Sequence, residues 1–478
     1  MVEHPVNPFS RRPPAFRRYR SLLSLAITPA VAVSLTTSPQ HVQGLDVAIV
    51  GGGVAGLASA VSLSALSGVR RIRVFEKDGG FGYGGFGLAL WPNGLRALRH
   101  MDTSLHDEVV RSGSVIEERM FTTVESTSID YCREREAFGH PMLCLRLLSL
   151  HNALRRTALR RGCEILSGLT CDAVHAVIGD DGKKRAALML REEGGEEEVV
   201  TADFVVGADG LKSVVRAHLG DASKPRDTHC VWFFGIVGHE ACPILLRTRV
   251  HTFFLSDPSK AASLMPCGDH NTYWAVALTG DNIEEAMEIE HEDKAMKRFL
   301  KAQFGECNAL VKLIEATPPH QIHRRRIEDR PASRSFVSGA APDDFYSALV
   351  GDAAHPARPS LGQGANMALE DAVQLALVLR ETDSVEEALR EYDSARVLRC
   401  AKLQGDSAFV AEQARQCVGG DDLRTGGKDG QASENRPANQ GMGDADFVYN
   451  WEPERLHHFP WGSSKQRADG AGVPSSRG

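Results

Sequence analysis

Gly51, Gly53 and Gly56 carry the spacing G-x-G-x-x-G directly behind the apolar run Val47, Ala48, Ile49 and Val50. Each glycine has a physical task at a pyrophosphate: the first makes a tight turn, the second lets the phosphates approach the backbone, and the third allows close helix–strand packing. Ala55, Ala58, Ser59 and Ala60 keep the following helix slim. The free N–H groups and positive dipole end of that helix would face the phosphates. Glu76 closes the next apolar strand, Ile72 to Phe75. It lies about 20 residues past the last glycine, where a carboxylate accepts hydrogen bonds from ribose hydroxyls. A glycine pattern alone also occurs in α/β proteins that bind no nucleotide. Strand, helix and acid together predict a dinucleotide, without choosing between NAD and FAD.

Two later stretches repeat the design. Phe204, Val205 and Val206 lead into Gly207, Asp209 and Gly210, and Ala348, Leu349 and Val350 lead into Gly351 and Asp352. An acid at a strand end accepts hydrogen bonds from a polyol or from a backbone turn. Beyond Asp352, Pro356 and Pro359 stiffen the loop by fixing φ. Gly362 and Gly364 leave backbone N–H groups open to a flat, electron-rich ring at the start of a helix. That helix carries Ala365, Ala368, Leu369, Ala372, Leu375, Ala376 and Leu379 at helical spacing.

Strand, glycine turn and helix, repeated, predict a doubly wound parallel sheet whose strand ends gather these residues. Other elements interrupt it. The runs VWFFGIV, VHTFFL and TYWAVAL, between Thr228 and Leu278, predict one aromatic-rich sheet, and Asn282 to Ile314 a charged helical stretch. Trp232, Phe234, Phe253 and Tyr273 are candidates for a pocket lining, although strand aromatics mostly serve as core. His323 to Arg326, followed by Glu328 and Asp329, reads as a solvated loop. Leu147 to Leu159 predicts a helix, and the Asn93-Gly94 pair a break before the amphipathic Leu95 to Met101. The domain reading is discontinuous: a nucleotide-binding domain from 45–113, 143–227 and 331–416, and a substrate domain from 114–142 and 228–330.

Residues 1–44 hold five arginines and one acid, Glu3, ahead of an apolar stretch broken by Pro29. This predicts an organelle-targeting or disordered extension, to plastid or mitochondrion, with cytoplasmic or membrane-associated placement as the alternative. Any membrane contact would run through this segment. Residues 417–446 read as a disordered linker, 447–461 as an aromatic island packed on the body, and 462–478 as a disordered tail. A net charge of −7 gives no reason to expect nucleic acid as a partner. The ten cysteines contain no C-x-x-C pair, which removes support for a zinc site or a disulfide framework.

The segment GDAAHPARPSLGQGAN, Gly351 to Asn366, resembles the FAD-dependent aromatic hydroxylases, a group that includes salicylate-hydroxylase-like and zeaxanthin-epoxidase-like monooxygenases. The glycine turn with Glu76, the Asp209-Gly210 unit, WPNGLRAL and REYDSARVLR (Arg390 to Arg399) share the resemblance, which spans roughly Leu45 to Gln413. It implies a Rossmann-type FAD-binding domain of α/β class with an interleaved β-sheet substrate domain. It also implies FAD as cofactor, NADPH or NADH as electron donor, and insertion of one atom of O2 through a flavin C4a-hydroperoxide into an aromatic or isoprenoid small molecule. By resemblance Glu76 holds the adenosine ribose, Asp352 the ribityl chain, and Gly362, Gln363 and Gly364 the flavin pyrimidine edge. Asp209 supports the pyrophosphate, Gly351 and Asn366 complete the motif, and Pro359 lines the oxygen-transfer side beneath a roof formed by the sheet from Val231 to Leu278. His355 reads as a packing residue of the turn.

Two positions depart from the family. Arg146, a candidate flavin contact, is displaced by one residue, with Leu147 in the aligned place, and Phe234 stands where many members carry an arginine before the glycine of the first substrate strand. The second departure argues against an anionic substrate. A flavin reductase or oxidase on the same fold, or a non-catalytic FAD-binding protein, are the alternatives the sequence leaves open.

Overall fold

Three short apolar runs form the centre of the molecule because each is buried on both faces of a parallel sheet. In the computed structural model these are Leu45–Val50, Phe204–Gly207 and Tyr346–Leu349. The described residues are 40–79, 86–192, 194–243, 245–280, 283–289, 293–339, 344–416 and 445–453. Nearly all of the expected N-terminal extension, most of the 417–446 linker, the second half of the aromatic island and the tail lie outside them.

The central sheet has the order Val337–Ser338, Tyr346–Leu349, Phe204–Gly207, Leu45–Val50, Val69–Glu76, Glu164–Ser167, parallel except for its first pair. One of its two central strands, Leu45–Val50, is anchored by charge at one end. Asp46 is buried and takes Arg70, Arg71 and Arg73 from the neighbouring strand, with Arg71 Nη2 at 2.5 Å. Helix Val54–Leu63 packs on this sheet through its alanines and Gly56, all buried, and against helix Gly364–Glu381.

A seven-stranded sheet covers the other side of the site, in the order His323–Asp329, Arg226–Gly238, Asn271–Thr279, Lys260–Pro266, Arg249–Phe254, Glu118–Thr122, Thr127–Tyr131. All three aromatic runs belong to it, so they form one sheet as the sequence suggests. Strand alternation divides their side chains between two cores. Phe234, Ile236, Tyr273 and Ala275 face the nucleotide-binding side, whereas Val231, Phe233, Trp274 and Val276 face helices Ile283–Glu288, Asp293–Phe304 and Asn308–Ala316. Two smaller three-stranded sheets complete the β structure among the described residues. One joins Gly87–Leu90, Met142–Arg146 and Ser114–Ile116, and the other is the hairpin region 169–202.

Two readings need correction. His323–Asp329 is a strand and not a solvated loop: Arg324 donates to the carbonyls of Ala286 and Ile289, and Arg326 pairs with Asp227 and Glu284. Partners on neighbouring elements turn that basic run into an edge strand. Asn93 and Gly94 do not precede their helix but lie in its first turn, because it spans Pro92–Met101 with Pro92 leading. Gly94 is required by close packing, since a Cβ there would sit 2.1 Å from Asn366 Oδ1. Among the described residues, no helix is long and apolar enough to cross a membrane.

Candidate functional site

The three glycine turns leave the C-terminal ends of three adjacent strands, where open α/β sheets bind their ligands. Gly51 has φ +102, and a Cβ there would lie 2.3 Å from the carbonyl oxygen of Ala208, so only glycine allows the first two turns to touch. A Cβ on Gly56 would lie closer still, 1.9 Å from the carbonyl oxygen of Gly51, and Gly53 is the residue that enters helix Val54–Leu63. Gly351 also has positive φ, and its missing Cβ makes room for Ala55. The turns at 51–56, 207–210 and 351–353 are thus one packed surface.

The acids on that surface are used differently. Glu76 accepts the N–H of Gly52 at 2.6 Å and that of Asp78 at 2.9 Å, which fixes the glycine turn. Asp209 accepts from the N–H of Val214 at 2.7 Å with one carboxylate oxygen, while its Oδ1 is buried without a partner. Burial raises its pKa, and hydrogen bonds from Ser213 and Val214 offset part of that rise. Asp352 has an exposed side chain with no hydrogen bond or ion pair among the described residues.

Pro359 opens a short 3-10 turn to Leu361, and Gly362 leaves it in the left-handed region at φ 61. Gly364 starts helix Gly364–Glu381 with open space where a Cβ would point. Gln363 is buried, accepts from Asn93 Nδ2 at 3.0 Å, and has an Nε2 with no acceptor. Asn366 ties the loop to its surroundings: Oδ1 accepts the N–H of Trp91 at 2.9 Å, and Nδ2 donates to the carbonyls of Ala89 and Gly362. Arg146 ends strand Met142–Arg146 opposite Gly87 and stands in extended conformation just before helix Leu147–Arg160, without a capping bond from its side chain.

Beneath the loop lies a buried ionic network that sequence reading missed. Glu370 and Asp371, both fully buried on helix Gly364–Glu381, face Arg396 and Arg399 of helix Val385–Gln416. Arg396 reaches Glu370 at 2.6 Å and Asp371 at 2.7 Å, Arg399 reaches Glu370 at 2.6 Å, and Asn93 adds a bond to Glu370 at 2.7 Å. Asp371 also takes His355 at 2.5 Å and the N–H of Gly351 at 2.8 Å. Burial pushes both carboxyl pKa values up, but the opposed cations outweigh it and hold them below the ordinary range. For His355 burial is the largest single effect and acts downward, but Asp371 and Cys400 together outweigh it and raise the imidazole pKa above its ordinary value. Cys400 completes a close trio with His355 and Asp371. Its setting is that of an ion-pair network, because Asp371 is already saturated by Arg396, His355 and Gly351. The packing role expected for His355 agrees with this geometry. REYDSARVLR was legible as a motif, but its arginines gave no sign of burial.

Aromatic side chains gather where the two sheets meet. Phe86 packs edge-on to Phe234 at 5.1 Å and against Tyr273 at 5.9 Å, and His323 stacks on Phe234. A Cβ on Gly87 would meet the Tyr273 ring at 2.6 Å, so strand Gly87–Leu90 runs directly under the aromatic sheet and ends at Trp91 beside the 362–366 loop. Of the four candidate lining residues, Phe234 and Tyr273 join this cluster and Trp232 shares their side of the sheet. Phe253 lies on the opposite face, where it lines an open cavity of about 710 Å³ with Met120, Leu246 and His251.

Bare turns at strand ends, a free carboxylate, and unpartnered buried polar atoms on Asp209, Gln363 and Trp91 suit a large ligand carrying phosphates, hydroxyls and a polar ring. FAD has those groups, and the residues fit it. Residues 44–405 match the family described as FAD binding domain, and the chain belongs to that family. Its class is that of the FAD-dependent monooxygenases. It is 32% identical over 385 residues to 3-amino-4-hydroxybenzoate 2-monooxygenase of Streptomyces cremeus, covering 77% of this chain and 87% of that protein. It is 29% identical to aurachin C monooxygenase/isomerase of Stigmatella aurantiaca, covering 77% and 89%. Against chloroplastic zeaxanthin epoxidase of Capsicum annuum the identity is 28%, over 82% of this chain but 58% of the longer relative. The fold is shared with Klebsiella pneumoniae HpxO complexed with FAD and uric acid (TM-score 0.63, 24% identity, 80% of this chain and 90% of that one). It is also shared with CtdE in complex with FAD and substrate 4 (TM-score 0.69, 18% identity, 86% and 96%).

Proposed function

We propose that this monooxygenase uses NADPH or NADH to insert one atom of O2 into a neutral aromatic or unsaturated apolar small molecule. The observation that carries the substrate class is the aromatic cluster of Phe86, half-buried, with Phe234 and Tyr273, both buried, at the junction where a substrate would meet the flavin loop; the Tyr273 hydroxyl is buried there without a hydrogen-bond partner. Phe234 stands where many family members carry an arginine, which further favours an uncharged substrate over a benzoate-like anion. Bound FAD would accept hydride from the nicotinamide and supply the activated oxygen, as cofactors do.

The chain's own part is binding, orientation and water exclusion. The N-terminus of helix Val54–Leu63 and the Gly51–Gly56 turn would receive the pyrophosphate, with Asp209 close by. Glu76 would meet the ribose with lone pairs not already given to Gly52 and Asp78, and Asp352 would accept from the ribityl hydroxyls. Backbone N–H groups at Gly362, Gln363 and Gly364 would meet the ring edge, and Pro359 would border the reacting side. The aromatic sheet would keep that side dry, which oxygen transfer needs if peroxide is not to be released. A phenol or aniline is the first substrate class. Epoxidation of an isoprenoid alkene is the second, favoured by the same apolar lining and by the similarity to zeaxanthin epoxidase.

The test is an anaerobic titration of the purified full chain, loaded with FAD, with NADPH and NADH, followed by exposure to labelled O2 in the presence of each substrate class. Bleaching of the flavin bands, their return with oxygen, and one labelled atom in the product are expected. Reoxidation that delivers all label as peroxide or water with every substrate would replace this reading by an oxidase or reductase. Flavin that no nicotinamide bleaches, even with substrate present, would leave an FAD-binding protein without this activity.

A further inference from the structure

Residues 445–453 lie against the candidate site from the far end of the chain, with Val448, Tyr449 and Trp451 buried. Two arginines hold the backbone of this segment. Arg96 donates to the carbonyls of Tyr449 at 3.1 Å and Trp451 at 2.5 Å, and Arg399 donates to those of Phe447 and Val448. Both belong to the framework of the site. Arg96 lies on helix Pro92–Met101, and Arg399 shares Glu370 with Asn93, which in turn holds Gln363.

The segment uses this anchorage to present one ring. Tyr449 stacks on Trp91 with centroids 5.0 Å apart and planes 13° from parallel, and Phe138 meets Tyr449 edge-on at 5.5 Å. Arg119, itself paired with Asp130 and Glu134, lies over the Trp91 ring at 5.6 Å and hydrogen bonds the Tyr449 side chain. Trp91 is thereby fixed from both its ring and its backbone, since its N–H is bonded to Asn366. Its indole Nε1–H is buried with no acceptor, and a Cβ on Gly362 would lie 3.3 Å from that nitrogen. Native folds rarely leave a buried donor unmatched unless a ligand completes it.

We infer that Tyr449 is a positioning residue for the flavin site, holding the Trp91 indole so that its N–H donates to an acceptor on the bound flavin ring. Segment 445–453 is then a wall of that site. The inference rests on the reading that the Gly362–Gly364 loop receives the flavin edge.

The experiment compares full-length Tyr449→Leu, Tyr449→Phe, Trp91→Phe and the Tyr449→Leu/Trp91→Phe pair. It reads FAD dissociation by flavin fluorescence, the visible bands of the bound flavin, and melting of the FAD-free proteins. Loss of one aromatic stack should weaken FAD binding by about threefold to tenfold in Tyr449→Leu. Its flavin bands should shift in the same sense as those of Trp91→Phe, which removes the N–H but keeps a ring. Tyr449→Phe should restore affinity and bands, and Tyr449→Leu should change little more in the Trp91→Phe background. Wild-type affinity and spectrum in Tyr449→Leu overturns the inference, as does a full loss of affinity that persists without Trp91. A Tyr449→Leu protein that melts too low to load with FAD leaves the decision to Tyr449→Phe and Trp91→Phe, where unshifted bands in Trp91→Phe overturn it. A wild-type chain that takes up no FAD overturns the flavin reading itself, a result distinct from the others.

Discussion

Asp352 is unusual among the acids of the site because no hydrogen bond or ion pair occupies it among the described residues. Glu76 and Asp209 both spend oxygens on backbone N–H groups, so replacing either disturbs a turn as well as any ligand. Asp352→Ala should therefore leave melting of the FAD-free protein unchanged while weakening FAD retention by about tenfold to a hundredfold, the worth of a hydrogen bond to a charged group. Unaltered retention on equilibrium dialysis would remove the ribityl assignment. Gly94 gives the opposite prediction. Alanine in a helix interior ordinarily stabilises by up to about 1 kcal/mol over glycine, but here the Cβ would collide with Asn366 Oδ1. Gly94→Ala should lower stability by about 1–3 kcal/mol, as overpacking does, and a rise in melting temperature would show that the loop gives way freely. Glycines and strand-end acids were legible in the sequence because few residue types can do their work. Gly94 was legible only as a break, since its constraint comes from a residue far along the chain.

Helices Gly364–Glu381 and Val385–Gln416 show why charge is harder to read than apolar spacing. Glu370 and Asp371 look like solvent-facing positions between apolar residues, yet both are fully buried, and their partners come from the next helix. Arg396→Met should cost about 1.5–3 kcal/mol, because each buried carboxylate loses one charged partner while Glu370 keeps Arg399 and Asn93 and Asp371 keeps His355 and the N–H of Gly351. Urea unfolding checks this, and a cost below about 1 kcal/mol would mean that the carboxylates find other partners. The same network sets a pH window. The depressed carboxyls contribute in full above their ordinary values of 4.5 and 3.8, and lose that contribution as pH falls through their lowered values. His355, raised, contributes in full below 6.5 and loses that contribution as pH rises through its elevated value. Melting temperature should thus be highest between about pH 4.5 and 6.5, and Asp371→Asn, which removes the partner of His355, should weaken the decline on the alkaline side. A wild-type maximum well above neutrality would contradict the assignment.

For the molecule as a whole, the repeated pattern of strand, turn and helix was readable because strands buried on both faces are continuous apolar runs. The interleaving of two sheets was readable from the aromatic strands, although alternation, not aromatic content, decides which side each ring serves. Trp91 and Tyr449 show what was hidden, since neither ring indicates that the other, more than three hundred positions away, lies on it. The strand order of the central sheet also bears on how the protein is made. Leu45–Val50 finds neighbours early in Val69–Glu76, but Tyr346–Leu349, the outermost parallel strand on the other side, leaves the ribosome roughly 300 residues later, about 15–60 s at ordinary elongation rates. Until then, Phe204–Gly207, the buried strand that carries the second glycine turn, has an open edge, so yield during synthesis should depend on chaperones that shield such edges rather than on the stability of the finished fold.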